Sequence, residues 1–381
     1  MDTRFARVTA ANFFFFLTFA SFFLLPLHVR ALGGSEHTIG LVMGTTGLSG
    51  LASILVVGIL LDRYGRRLFL LGGFATMALA SAAFLLVDRV GPLLFLLRGI
   101  QGLAFAAGFN AASTLAVELA PPGRRAAALG IFGVSTLATH ALAPALGEQL
   151  IRHGGFPPLF VAAAACSAIA VVIAWPLEGG TAYVPGGVPR LRATVPLTAA
   201  IGTVGFCGVA FGGVITYVPT FVQDAHLGRV ATFFLSYTGA AVLTRVAGGG
   251  LGDSLGRRAV IVPSLALLAV SIALLAVVGS ALALAGAGVL FGTAQGFVYP
   301  TLNAFTIDQA EPGQVGRAQT LYNGTFNLGV TTGSMGLGAI VERSGHRVMF
   351  LYAAAMAAAA LAVFVWGAQR ARGWHPTRGL R

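Results

Sequence analysis

The chain contains no lysine, only two cysteines and only twelve acidic residues among 381. Cys166 and Cys207 both fall inside long apolar stretches, which excludes a disulfide-framed secreted domain and makes both packing residues. The seven histidines, His28, His37, His140, His153, His226, His346 and His375, are scattered without metal-ligand spacing, so neither a metal nor a resident cofactor is expected. They also build no cluster of nucleophile and base, which leaves an integral-membrane enzyme without its catalytic groups. A phosphate-cradling glycine loop is missing, so ATP-driven pumping by this chain alone is excluded. Charge itself is scarce. Only 9% of residues are charged while 56% are hydrophobic, a combination that excludes a soluble domain of this length and defines a membrane protein.

A bilayer core of about 30 Å needs roughly 20 residues of helix, so charge-free intervals of that length can be counted as spans. In the first half they run over 8–29, 38–61, 68–87, 92–117, 126–147 and 154–177, with one internal charge, Arg98, in the fourth. The first is too long for a signal-peptide core and no small-residue cleavage site follows it, so it counts as helix one. A polar, Gly- and Pro-rich stretch, 178–192, reads as a linker. The second half offers 193–223, 230–252 with internal Arg245, a charge-free 259–307 that must break near Gly279 and Ser280, then 318–341 and 348–369. Twelve helices result, as bundles over 1–177 and 193–370 joined by the linker and followed by a tail, 371–381, because backbone in lipid must satisfy its own hydrogen bonds.

All 24 basic residues are Arg. With the N-terminus inside, sixteen lie in cytoplasmic segments against six outside, Arg30, Arg89, Arg152, Arg229, Arg343 and Arg347. Both termini are therefore expected in the cytoplasm, on the inner-membrane pattern. The net charge of +12 then reflects topology and an affinity for anionic lipid head groups rather than nucleic-acid binding.

The two halves also share a motif. Gly58, Leu60, Asp62, Arg63, Gly65, Arg66 and Arg67 form a compact run between spans two and three, and Gly249, Leu251, Asp253, Gly256, Arg257 and Arg258 repeat it 191 residues later (249 − 58), with Ser254 in the place of Arg63. This pair of loops resembles the signature of the major facilitator superfamily, and the likeness extends over the whole chain. The resemblance implies an all-α membrane fold of twelve helices in two pseudo-symmetric six-helix bundles, and a non-enzymatic secondary transporter working by alternating access. Leu97, Arg98, Gly99, Gln101 and Gly102 resemble the family's fourth-helix pattern. Gly130, Pro144 and Gly147 match the fifth-helix motif of its drug and metabolite antiporters, where Thr139 and Ala143 are small substitutes and Glu148 departs. The implied group is the twelve-helix proton antiporters, with proton-coupled export of a small amphiphilic or anionic organic compound; uptake or facilitated diffusion of a metabolite is the alternative. The absence of any extra domain points to a monomer.

Candidate site residues follow from burial cost. Arg98 lies about 9 Å inside its span at 1.5 Å per residue and has no acidic mate in sequence, so it reads as a substrate anchor, as the partner of a proton site, or as a guanidinium packed against carbonyls of helix one. Arg245, two turns from a helix end, fits snorkelling. Gln295, Tyr299 and Asn303 recur at i, i+4, i+8, as do Gln319, Asn323 and Asn327, and Gln101, Asn110, Tyr217 and Tyr237 join them as polar groups that line a cavity or bond between helices. The aromatic run from Phe13 to Phe16, with Phe19, Phe22 and Phe23, gives helix one an apolar surface suited to lipid, packing and an amphiphilic substrate. His140 and Glu148 are the candidates for coupling to protons. For the loop motif, Asp62 can face the positive N-terminal end of another helix while accepting from Arg66, and the resemblance makes that helix the eleventh. Gly58, Asp62, Arg63, Gly65, Arg66, Asp253 and Arg257 would then form a conformational latch, against the alternative that these Arg residues only enforce orientation.

Overall fold

The computed structural model describes residues 3–120, 125–177, 194–311 and 314–370, leaving aside the side chains of 54–56, 58, 59, 61, 62, 125–127 and 370. The linker and the tail read from the sequence lie outside these residues, as does the side chain of Asp62. Twelve long helices are described: α1 (Thr3–Ala31), α2 (Glu36–Tyr64), α3 (Arg66–Ala83), α4 (Pro92–Leu119), α5 (Arg125–Gly154), α6 (Phe156–Ala174), α7 (Val195–Asp224), α8 (Val230–Gly248), α9 (Arg257–Leu275), α10 (Ala281–Asp308), α11 (315–344) and α12 (346–370). The charge-free stretch 259–307 does break, between Leu275 and Ala281, where the Ser280 hydroxyl accepts from the backbone N–H of Ala283 at 3.2 Å and caps α10.

Each half packs alike. In the first, α1 lies against α5 and α6, and α4 against α2 and α3; in the second, α7 lies against α11 and α12, and α10 against α8 and α9. The most extensive contacts between the halves are α2 with α11 and α5 with α8, and the end of α1 also meets α7. The repeat extends to turn geometry. All six described glycines at positive φ fall into pairs at equivalent turns, Gly33 with Gly228, Gly65 with Gly256, and Gly155 with Gly345. At Gly65 and Gly256, φ is 85° and 91°, a left-handed conformation that a side chain disfavours, which explains why the loop motif holds glycine there in both copies.

The ion pairs of the loop motif are likewise doubled. Arg66, at the start of α3, pairs with Glu118 near the end of α4 at 2.6 Å, and Arg257, at the start of α9, pairs with Asp308 at the end of α10 at 3.2 Å. Both acids lie far from the motif in sequence, so the sequence alone did not mark them as partners. Asp253 adds an i,i+4 pair with Arg257 at 2.6 Å. Arg63 is exposed and stands over the ring of Tyr64 at 5.4 Å.

Candidate functional site

The two halves meet at the end of the molecule away from both chain termini. There Arg30 of α1 donates to both carboxylate oxygens of Asp224 on α7, at 2.5 and 3.1 Å, and to the carbonyl of Thr220 at 3.3 Å. The same guanidinium pairs with Glu36, which in turn accepts from the Thr220 hydroxyl at 3.2 Å and lies 3.7 Å from His346. Glu342 accepts from the Ser35 hydroxyl and the His37 backbone N–H, and Glu148 from the Ala231 backbone N–H. The charged groups here lie beyond the charge-free intervals of the sequence. Burial raises the Glu36 carboxyl above its usual range against the opposing pull of Arg30, whereas the Ser35 hydroxyl and the His37 N–H hold Glu342 below it. At the opposite end, Arg66 and Arg257 pair with Glu118 and Asp308 of their own halves. The distal end is closed.

Between the ends, the candidate residues separate into two groups. Arg98 is 3% exposed and turned into its own half: it donates to Gln101 Oε1 at 2.7 Å and to the Val42 carbonyl at 3.5 Å, and stands 5.6 Å from the Phe22 ring centre. The carbonyl comes from α2 rather than from helix one. Gln101 is 1% exposed and passes the chain on to the Ser81 hydroxyl at 3.3 Å. Asn110 donates to the Ala106 carbonyl of its own helix at 2.7 Å, and the fully buried Tyr217 donates to the Ser334 carbonyl at 2.5 Å, between α7 and α11. Arg98→Ala strips a buried donor from Gln101, and an orphaned buried polar group costs about 1–3 kcal/mol. The detergent-solubilised variant is therefore expected to melt several degrees lower, as read by thermal-shift fluorescence.

The second group lies on α5, α8, α10 and α11. On α10, Gln295 is 6% exposed and its Nε2 has no partner; Asn303, half-buried, has an unpartnered Oδ1; and the Tyr299 hydroxyl donates to Asn323 on α11 at 2.9 Å. His140 on α5 stands 3.4 Å from the Tyr237 hydroxyl on α8, the two halves meeting at mid-membrane, with the edge of Phe23 against its ring. Arg245 is the residue that sequence reasoning missed. Its side chain is half-buried and its Nε is enclosed without a partner. The signal was present: Tyr237, Ala241 and Arg245 continue on α8 the same i, i+4, i+8 spacing that marked α10 and α11. Aromatic rings cluster in each half, Phe19, Phe105 and Phe109 in one and Phe211, Phe326 and Tyr299 in the other.

Two six-helix bundles, polar and aromatic residues on their facing helices, and closure at the distal end are the attributes of a secondary transporter that exposes one site alternately to the two sides of a membrane. The family model of the Major Facilitator Superfamily matches residues 8–249 and 229–379, and the chain belongs to that family. It is a multi-pass membrane transporter, not an enzyme. Among curated relatives, the multidrug resistance protein MdtG of Yersinia enterocolitica is 27% identical over 365 residues, covering 88% of this chain and 86% of the relative. A probable nitrate/nitrite transporter, NarK2 of Mycobacterium tuberculosis, is 28% identical over 258 residues, and that match spans 63% of each protein. Among solved structures, the nucleoside transporter NupG superposes with a TM-score of 0.75 at 15% identity, covering 97% of this chain and 100% of that one, a likeness of fold.

Proposed function

We propose that the protein exports a small amphiphilic organic anion, with protons as the coupling ion, and that Arg245 holds the anionic group. The observation that carries this reading is Arg245, half-buried with its Nε enclosed and unpartnered, on the helix that packs against α10, where the Nε2 of Gln295 is also unpartnered. A cation left without a counter-ion inside a membrane protein is costly, and an anionic ligand removes that cost. The paired rings of Phe105 and Phe109 in one half and of Phe211 and Phe326 in the other suit an apolar body. Export is supported by the similarity to MdtG over most of both chains. His140, in contact with Tyr237 across the halves, is the proton-coupling candidate better placed than Glu148, whose carboxylate is engaged at the distal end. With both termini on the cytoplasmic side of a bacterial inner membrane, as the arginine distribution favours, the closed distal end faces outward. A second reading, uptake of a small inorganic anion, is favoured by the same Arg245 and by the similarity to NarK2.

The test is reconstitution in proteoliposomes with a pH-sensitive dye inside, against a panel of organic anions, nitrate, lipophilic cations and sugars. An organic anion is expected to cross with movement of protons, and His140→Ala is expected to abolish proton movement. Transport of nitrate alone supports the second reading. Selective transport of cations or sugars overturns both.

A further inference from the structure

Glu148 stands near the end of α5, and its Oε2 accepts from the backbone N–H of Ala231, the second residue of α8, at 2.9 Å. Glu342 stands near the end of α11, and its Oε2 accepts from the backbone N–H of His37, the second residue of α2, at 3.1 Å. The acceptors are 194 residues apart (342 − 148), and so are the donors (231 − 37). In the repeat α5 is equivalent to α11 and α2 to α8. One contact therefore occurs twice with the roles of the halves exchanged: the first half supplies the carboxylate to α8, and the second half supplies it to α2.

We propose that Glu148 and Glu342 are a reciprocal pair of latches on the distal gate, each holding the N-terminus of a helix in the opposite half, and that both must release before substrate passes through that end. This goes beyond the reading of the substrate and does not depend on it. The chemistry suits a contact that breaks in every cycle. The first N–H groups of a helix have no partner within it and carry the positive end of its dipole, so a carboxylate gains both a hydrogen bond and a favourable charge. Separation returns the carboxylate and the N–H to water, which solvates both, whereas a deeply buried ion pair would leave charges stranded.

The two latches are unequal. The Glu148 side chain is 13% exposed, and Arg152 stands 3.5 Å away on its own helix; Glu342 lies at the surface, where water and salt screen it. Around Glu342 the α2–α11 side has further ties, Arg30 to Asp224 and Glu36 to Thr220. The α5–α8 side rests more heavily on its single carboxylate.

The experiment is pulsed electron–electron resonance in lipid nanodiscs, in a background where Cys166 and Cys207 are replaced by alanine. One label pair spans α5 and α8 (His153→Cys with Arg229→Cys) and the other spans the α2–α11 side (Ala31→Cys with Arg343→Cys). Glu148→Ala is expected to raise the ratio of distal-open to distal-closed molecules roughly fivefold, the usual worth of a lost helix cap. Glu342→Ala is expected to raise it less, and the two effects multiply in the double variant. Each single variant moves both label pairs, because the halves separate as bodies. Glu148→Gln and Glu342→Gln, which keep the shape and an acceptor oxygen, give smaller shifts in the same direction and carry the test if the alanine variants fail to fold. Asp88→Asn, an exposed distal acid, leaves both distances unchanged. The proposal is overturned if either glutamate variant leaves the distances as they were, if a change is confined to the nearer label pair, or if Asp88→Asn reproduces it.

Discussion

Replacing Arg245 by alanine is expected to weaken binding of an organic anion by roughly two to three orders of magnitude, the usual cost of removing one member of a desolvated charge pair. Scintillation proximity or calorimetric titration of the purified protein reads it. The melting temperature should hold or rise, and this makes the result diagnostic. Arg245 makes no hydrogen bond or ion pair among the described residues, and its Nε is enclosed without a partner, so its removal strands nothing and relieves an uncompensated charge. Arg98 is the opposite case. Its guanidinium is tied to Gln101 and Val42, so alanine there is expected to lower stability first and transport only as a consequence. Lysine at 245 keeps the charge but loses the planar fork, and is expected to recover part of the affinity for a carboxylate. Binding unchanged in Arg245→Ala would remove the anion from the proposed function. A parallel loss of binding and stability would make Arg245 a structural residue.

The contrast between the two arginines shows what the sequence could carry. Both interrupt a charge-free interval, and composition cannot say which is partnered, because Gln101 is itself polar and three residues on, as suited to a cavity as to its neighbour. The twelve helices and the half-repeat were legible, since a lipid solvent imposes length and polarity on every helix independently of its neighbours. The glycine at Gly65 and Gly256 was legible as a repeat, and its left-handed φ supplies the reason. Contacts between distant segments were not. Arg66 finds Glu118, and Glu148 finds the start of α8, through helix packing that no local pattern encodes. Glu148 stood out as a departure from the antiporter motif; the contact it makes explains why an acid is useful at that position.

Gly40→Val is expected to hold the distal gate open, shifting the ratio of distal-open to distal-closed molecules by roughly 10- to 100-fold, on the usual cost of overpacking a tight contact. A Cβ on Gly40 of α2 would come under 3.0 Å from the Tyr217 hydroxyl and from the Ser334 carbonyl, both in the opposite half, and a backbone carbonyl cannot swing aside. Gly44 is a milder site, because its neighbour is the flexible side chain of Met335. The clash at Gly40 exists only while the halves touch, so the protein escapes it by opening rather than by unfolding. Gly212→Val has no such escape. A Cβ there would meet the backbone of Val330 under 3.0 Å, and Gly208, Gly329 and Gly333 pack the same α7–α11 seam backbone to backbone within one half. That variant is expected to fail to yield folded protein, while Gly40→Val yields folded protein with the same label-pair distances that release of the Glu148 and Glu342 latches produces. If Gly40→Val instead lowers stability as Gly212→Val does, the α2–α11 contact is permanent and the two halves do not part there. If it leaves the distances unchanged and the protein stable, the closed distal end is not the resting state in the membrane.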